Sequence, residues 1–139
     1  MVNGYAEELK DIRVVLIDDQ VIVRTGLKTI LQDMAGIRVI ADFSDPNEAL
    51  YCYRTLLDAD IVLLDISMSG MSGLDFLKEL RGRKNSLPVL ILSMFPEHLY
   101  GQYSRDLGAE GYLTKDCSAQ ELESELRRIV NAETFNDKQ

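Results

Sequence analysis

Near-continuous apolar runs recur along the 139-residue chain at 12–17 (IRVVLI), 37–43 (IRVIADF), 60–66 (DIVLLDI), 88–92 (PVLIL) and 110–114 (EGYLT). The first, third and fourth are rich in Val, Ile and Leu with little alternation, the pattern of strands buried on both faces of a parallel sheet. The second and fifth are weaker and fit edge positions. Between the runs the apolar spacing changes to three and four residues. Over 20–34 the stripe is Val23, Leu27, Ile30, Leu31 and Met34, and over 73–82 it is Leu74, Leu77 and Leu80. Helices are likewise predicted over 46–57, 97–107 and 118–132. Asp45-Pro46, Ser72 and the Ser118/Glu121 pair supply helix starts, the last as a capping box. Gly36 and Gly108 stand where helices should stop.

Strands alternating with helices through short connections and right-handed crossovers predict an α/β fold, a doubly wound (βα)5 five-stranded parallel sheet. Strand order 2-1-3-4-5 is taken over from known flavodoxin-like sheets; the pattern alone does not dictate it. One domain is expected over 1–139, with its core at about 11–132 and frayed ends at 1–9 and 134–139. The chain stops at NDKQ, just after the last predicted helix.

The polar residues that interrupt the apolar runs carry the chemistry. Asp18 and Asp19 follow VVLI, Asp65 closes IVLLD, Ser93 follows VLIL and Lys115 follows GYLT. All fall at carboxyl ends of predicted strands, the edge where open α/β sheets bind ligands. Singly, each has a plain structural explanation. Asp18 and Asp19 can be an N-cap and a first-turn acid for the helix over 20–34. Asp65 can cap the loop before Ser72, Ser93 can be a loop serine, and Lys115 an exposed lysine. Together they form a set. Three carboxylates brought close need a cation or a raised pKa. Oxygen donors suit Mg²⁺, with Mn²⁺ able to take its place. His98 is the single histidine, and Cys52 and Cys117 lie elsewhere, so no zinc or copper set competes. With Lys115 and Ser93 to meet phosphoryl oxygens, the set describes phosphoryl transfer to an aspartate.

Composition narrows the field. The net charge of −8 argues against direct nucleic-acid binding, and RGRK at 81–84 reads as a solvated helix end. No apolar run approaches the length of a membrane span, and the first residues lack a secretory signal pattern. Two cysteines without a spaced framework fit free thiols and a cytoplasmic location.

LIDDQ, LLDISMSGMSGLDFL, ILSM and GAEGYLTKD together resemble the acidic pair, phosphoacceptor loop, switch hydroxyl and lysine motif of bacterial response-regulator receiver domains, over about 11–132. VRTGL and GYLTKD, with Asp116 where many receivers have proline, look most like the NarL/FixJ (LuxR-type) group. The resemblance implies that Asp65 is phosphorylated from a sensor histidine kinase or a small phosphodonor. It implies Mg²⁺ on Asp19, Asp65 and the Ser67 backbone carbonyl, with Asp18 acting largely through water. It implies contact of Lys115 with the phosphoryl group, and switch roles for Ser93 and Tyr112. That motion would reshape the surface of the last two helices and the strand between them.

The sequence departs from the family pattern at Ser69 (usually proline), Gln20 (usually histidine in this group), Val21 (usually proline) and Met94 (usually small). None removes a group the chemistry requires. Met94 is expected to narrow access to Asp65. The resemblance further implies a homodimer and DNA binding only through a helix-turn-helix domain not present in this chain. The chain is read as a signalling phosphoacceptor rather than a turnover enzyme. A stand-alone or degenerate receiver acting only by protein contact is the alternative. A haloacid-dehalogenase-type phosphatase would want DxD at the first strand, where this chain has adjacent aspartates.

Overall fold

Five parallel strands form one sheet in the order β2-β1-β3-β4-β5: β1 Ile12–Ile17, β2 Ile37–Phe43, β3 Ile61–Asp65, β4 Val89–Ser93 and β5 Gly111–Thr114. The structure, a computed structural model, describes residues 11–67 and 72–137. Ser69 and residues 1–9 therefore lie outside the described residues. The flavodoxin-like order matches the expectation, with the two weaker runs at the edges.

The lack of alternation in the central strands has a direct cause. Val15 and Ile17, Val62 and Leu64, and Val89 and Ile91 face one core; Val14 and Leu16, Ile61 and Leu63, and Leu90 and Leu92 face the other. Helices cover both faces, so successive side chains are all buried. Helix α1, Val21–Gln32, and helix α6, Ala119–Asp137, cover the second core through Leu31, Leu122, Leu126 and Ile129. The first core is covered by α2 (Pro46–Tyr51), α3 (Tyr53–Leu57), α4 (Gly73–Gly82) and α5 (Glu97–Asp106). Its anchors include Ala49, Leu56, Phe76, Leu77 and Leu80.

The helix starts follow their local chemistry. Asp45 accepts from the Asn47 N–H at 2.9 Å and Ser72 from the Asp75 N–H at 3.1 Å. Ser118 and Glu121 exchange two 3.0 Å hydrogen bonds, closing the capping box. Gly36 and Gly108 have positive φ, at 76° and 106°, as helix-terminating glycines do.

Three expectations need correction. The single helix over 46–57 is two, broken at Cys52 (φ −93°, ψ 46°). The next residue, Tyr53, has its hydroxyl held by Asn85 at 2.7 Å and its ring beneath the Arg83 guanidinium, 5.1 Å from the centroid. The last helix continues past 132 through residues expected to fray, to Asp137. The basic cluster is not all solvated. Arg81 donates to the carbonyls of Asn85 (3.0 Å), Leu87 (2.9 Å) and Gly108 (2.7 Å) and pairs with Glu110 at 3.1 Å. Glu110 in turn accepts the Val89 N–H at 2.8 Å. A guanidinium presents its donors in a planar fork, which lets one side chain tie together the amino ends of β4 and β5.

Candidate functional site

The strands end in step, and that brings their terminal polar residues together. Asp18 follows β1, its N–H bonded to the Phe43 carbonyl at 3.0 Å. Asp65 and Ser93 are the last residues of β3 and β4. Lys115 follows β5, and its N–H donates to the Ser93 carbonyl at 2.8 Å. The predicted cluster of Asp18, Asp19, Asp65, Ser93 and Lys115 is therefore assembled on one edge of the sheet.

One ammonium serves two buried carboxylates. Lys115 Nζ lies 3.1 Å from Asp18 Oδ2 and 3.2 Å from Asp65 Oδ2, and it donates weakly to Gln20 Oε1 at 3.4 Å. Asp18 and Asp65 are only 1% and 2% exposed. Their second oxygens are also held: Asp18 Oδ1 accepts from the Gln20 N–H and Asp65 Oδ1 from the Ser67 N–H, both at 2.9 Å. Ser67 is thus set beside Asp65.

Neither Asp18 nor Asp19 lies within α1. Gln20 occupies the N-cap position of α1, and no acid stands in its first turn.

Burial raises the Asp65 carboxyl above the ordinary aspartate range. The charge on Asp18 pushes the same way, while the Ser67 N–H and Lys115 oppose the rise. Carboxylate oxygens of Asp18, Asp19 and Asp65 lie within 4.8 Å of one another. Three carboxylates this close, two of them sharing Lys115, make a donor set that fits a hard divalent cation, which takes carboxylate oxygens and keeps some water.

Ser93 is fully buried, and its Oγ accepts the Phe95 N–H at 2.9 Å. Tyr112, on β5, is buried with its hydroxyl donating to the Phe95 carbonyl at 2.8 Å. Ser93 and Tyr112 therefore share Phe95 as a partner, and their side chains are also hydrogen-bonded to each other. Burial also pushes the Tyr112 phenol up.

Two residues at the site escaped the sequence reading as site residues. Arg24 stood only as part of VRTGL, and its Nη1 donates to the Asp18 carbonyl at 2.6 Å. Gly73, at the start of α4, packs directly on the backbone of Asp65 and Ile66. Neither contact has a signature in residue spacing. Cys52 and Cys117 are free thiols. Among the described residues no helix is long and apolar enough to cross a membrane.

Comparison with known proteins gives a consistent result. A family profile described as the response regulator receiver domain matches residues 14–127. The response regulator UvrY of Escherichia coli is 32% identical over 124 residues, covering 89% of this chain and 56% of that protein. A nitrate/nitrite response regulator protein homolog of Haemophilus influenzae is 34% identical, with 89% of this chain and 59% of that protein covered. The chain thus spans a little over half the length of these curated relatives. Among solved structures, a LuxR-family two-component response regulator from an Aurantimonas species superposes with a TM-score of 0.82 at 28% identity, covering 88% of this chain and 87% of that one. The receiver domain of a NarL regulator from Mycobacterium tuberculosis gives 0.76 at 27% identity, covering 88% and 96%.

Proposed function

Because the chain belongs to the response regulator receiver domain family, we propose that it is a phosphorylation switch in which Asp65 accepts a phosphoryl group from a sensor histidine kinase. The observation that carries this reading is a buried aspartate at a strand end, 3.2 Å from the Lys115 ammonium and sharing it with Asp18. An Asp65 oxygen attacks phosphorus, the bond from phosphorus to the donor's imidazole nitrogen breaks, and an acyl phosphate forms. The leaving imidazole takes up a proton. Lys115 exchanges its carboxylate partners for a phosphoryl oxygen, and the Ser93 hydroxyl turns from the Phe95 N–H to donate to another. Mg²⁺, which Asp19, Asp65 and the Ser67 carbonyl would hold with Asp18 acting largely through water, would supply positive charge to the transferring oxygens. Little else is required, since catalysis of this transfer is mainly position and electrostatics.

Movement of Ser93 is passed to Phe95 and so to the Tyr112 hydroxyl, altering the face made by α5, β5 and α6. Phosphorylation need only favour one form of that face by a few kcal/mol. A homodimer is one output of that face, and transcriptional control through a DNA-binding domain is the downstream effect. These reactions belong in the cytoplasm.

The test is to treat the full chain with acetyl phosphate or phosphoramidate, with and without Mg²⁺, and read intact mass. A Mg²⁺-dependent, hydroxylamine-labile adduct on the wild type and not on Asp65→Asn is expected. A folded, Mg²⁺-binding wild type that forms no adduct would reject the phosphoacceptor role and leave an interaction domain.

A further inference from the structure

The turn between β1 and α1 carries two of the three clustered carboxylates, and one side chain grips it from outside. Arg24 is one turn into α1, its own N–H bonded to the Gln20 carbonyl at 2.9 Å. Its guanidinium folds back across that turn. Nη1 donates to the Asp18 carbonyl at 2.6 Å, while Nε donates to Asp42 Oδ1 at 3.0 Å near the end of β2. Asp42 is itself fixed by Lys28, whose ammonium lies 3.0 Å from Oδ2. The Arg24 side chain is 16% exposed, so these bonds form largely out of water.

Coulomb's law alone makes this a poor place for a cation. A positive charge beside an acidic pair competes with any metal ion the pair would hold. The fork geometry offers a compensating use. A planar guanidinium with two donors engaged in different partners fixes the distance between the β1–α1 turn and the end of β2. With the Asp18 carbonyl pinned, and Asp18 Oδ1 tied to the Gln20 N–H, the Asp18 carboxylate has one direction left open, toward Lys115 and Asp65.

We infer that Arg24 is a positioning residue: by pinning the Asp18 carbonyl to Asp42 it sets the carboxylates of Asp18 and Asp19 at the spacing needed to hold a divalent cation with Asp65. This rests on the reading of the site as a metal-assisted phosphoacceptor.

The two effects of Arg24 have opposite signs, which makes the inference testable. Removing charge alone tightens Mg²⁺ binding; losing position weakens it. Mg²⁺ affinity of the full chain is measured by titration calorimetry for wild type, Arg24→Met and Arg24→Lys, and acetyl phosphate labelling is followed against Mg²⁺ concentration. The expected result is Mg²⁺ binding weakened about 10-fold in Arg24→Met, as for other residues that orient metal ligands, with labelling at saturating Mg²⁺ near the wild-type rate. A general loss of structure would depress labelling at every Mg²⁺ concentration. Unchanged or tighter binding in Arg24→Met overturns the inference. Where that variant fails to melt cooperatively, Arg24→Lys decides: it keeps the charge and loses the fork, so weakened Mg²⁺ binding supports the inference and wild-type affinity overturns it. A wild type that binds no Mg²⁺ and takes no phosphoryl group overturns the functional reading along with it; normal wild-type behaviour with unaffected variants overturns only the role of Arg24.

Discussion

Gly73 lies hard against Asp65: a Cβ on Gly73 would meet the Asp65 carbonyl oxygen at 2.3 Å and the Ile66 Cα at 2.8 Å. Both obstacles are backbone, so no rotamer change relieves them. Gly73→Ala must therefore push α4 away from the end of β3, and overpacking of this kind costs about 1–3 kcal/mol. Denaturant unfolding should place the variant below wild type by that amount, with a reduced acyl-phosphate yield as Asp65 shifts. Wild-type stability would show that the helix start yields easily.

The buried Asp65 carboxyl gives a pH signature. Its folded pKa is raised above the ordinary aspartate value, first by burial and then by Asp18. The native protein therefore holds this proton more tightly than the unfolded chain does. The group's contribution to stability is fully present below the unfolded pKa and is lost as pH rises through the raised folded value. Asp65→Asn cannot ionise and escapes that loss. In metal-free buffer at neutral pH it should melt a few degrees above wild type, and the gap should close as the pH falls toward about 4. A variant that melts lower than wild type at neutral pH would contradict this account.

Lys115 is the shared counter-charge of Asp18 and Asp65, with its side chain only 14% exposed. Lys115→Met strands two carboxylates in a buried setting. Removing one partner of a buried pair costs about 3–5 kcal/mol. Adding Asp18→Asn should recover part of the loss, giving a coupling energy of about 1–2 kcal/mol in a double-mutant cycle. Strict additivity would mean that the two side chains do not interact in solution.

Met94 is 67% exposed and, with Pro96, Thr114, Lys115 and Asp116, lines a cavity of about 500 Å³. Its exposure predicts that Met94→Ala leaves stability within about 0.5 kcal/mol. Its position beside Lys115 predicts easier approach of water to Asp65. The acyl phosphate of the variant should decay several-fold faster than that of wild type. An unchanged lifetime would assign Met94 no part in shielding the site.

The bounds of β1 and β2 and the caps at Asp45, Ser72 and Ser118 were legible in the sequence because they depend on neighbours a few residues apart. The site was legible for a related reason. Asp18, Asp65, Ser93 and Lys115 interrupt or end apolar runs, and strand pairing brings such interruptions to a common edge. The break at Cys52 was not legible, because a stripe of apolar residues repeats alike in one helix or two short ones. Arg81 and Arg24 were misjudged or missed for another reason. A basic residue on a helix is by default solvated, and only the fold shows carbonyls within reach of its fork. Gly73 belongs with them, since the space a Cβ would take is decided by a strand that precedes it in the chain.

The Arg81 fork has a mechanical consequence. It roots β4 and β5 at their amino ends, through Gly108, Glu110 and the Val89 N–H. Their other ends carry Ser93 and Lys115, joined by the Lys115 N–H on the Ser93 carbonyl. With their roots tied by this fork, and β4 also paired with β3 along its length, β4 and β5 are expected to resist sliding as a body. A displacement of Ser93 or Lys115 is then expected to be taken up beyond the strand ends, in the Phe95 turn, Tyr112 and α5. Amide hydrogens near Val89 and Gly111 should keep their protection when those near Phe95 and Lys115 change theirs.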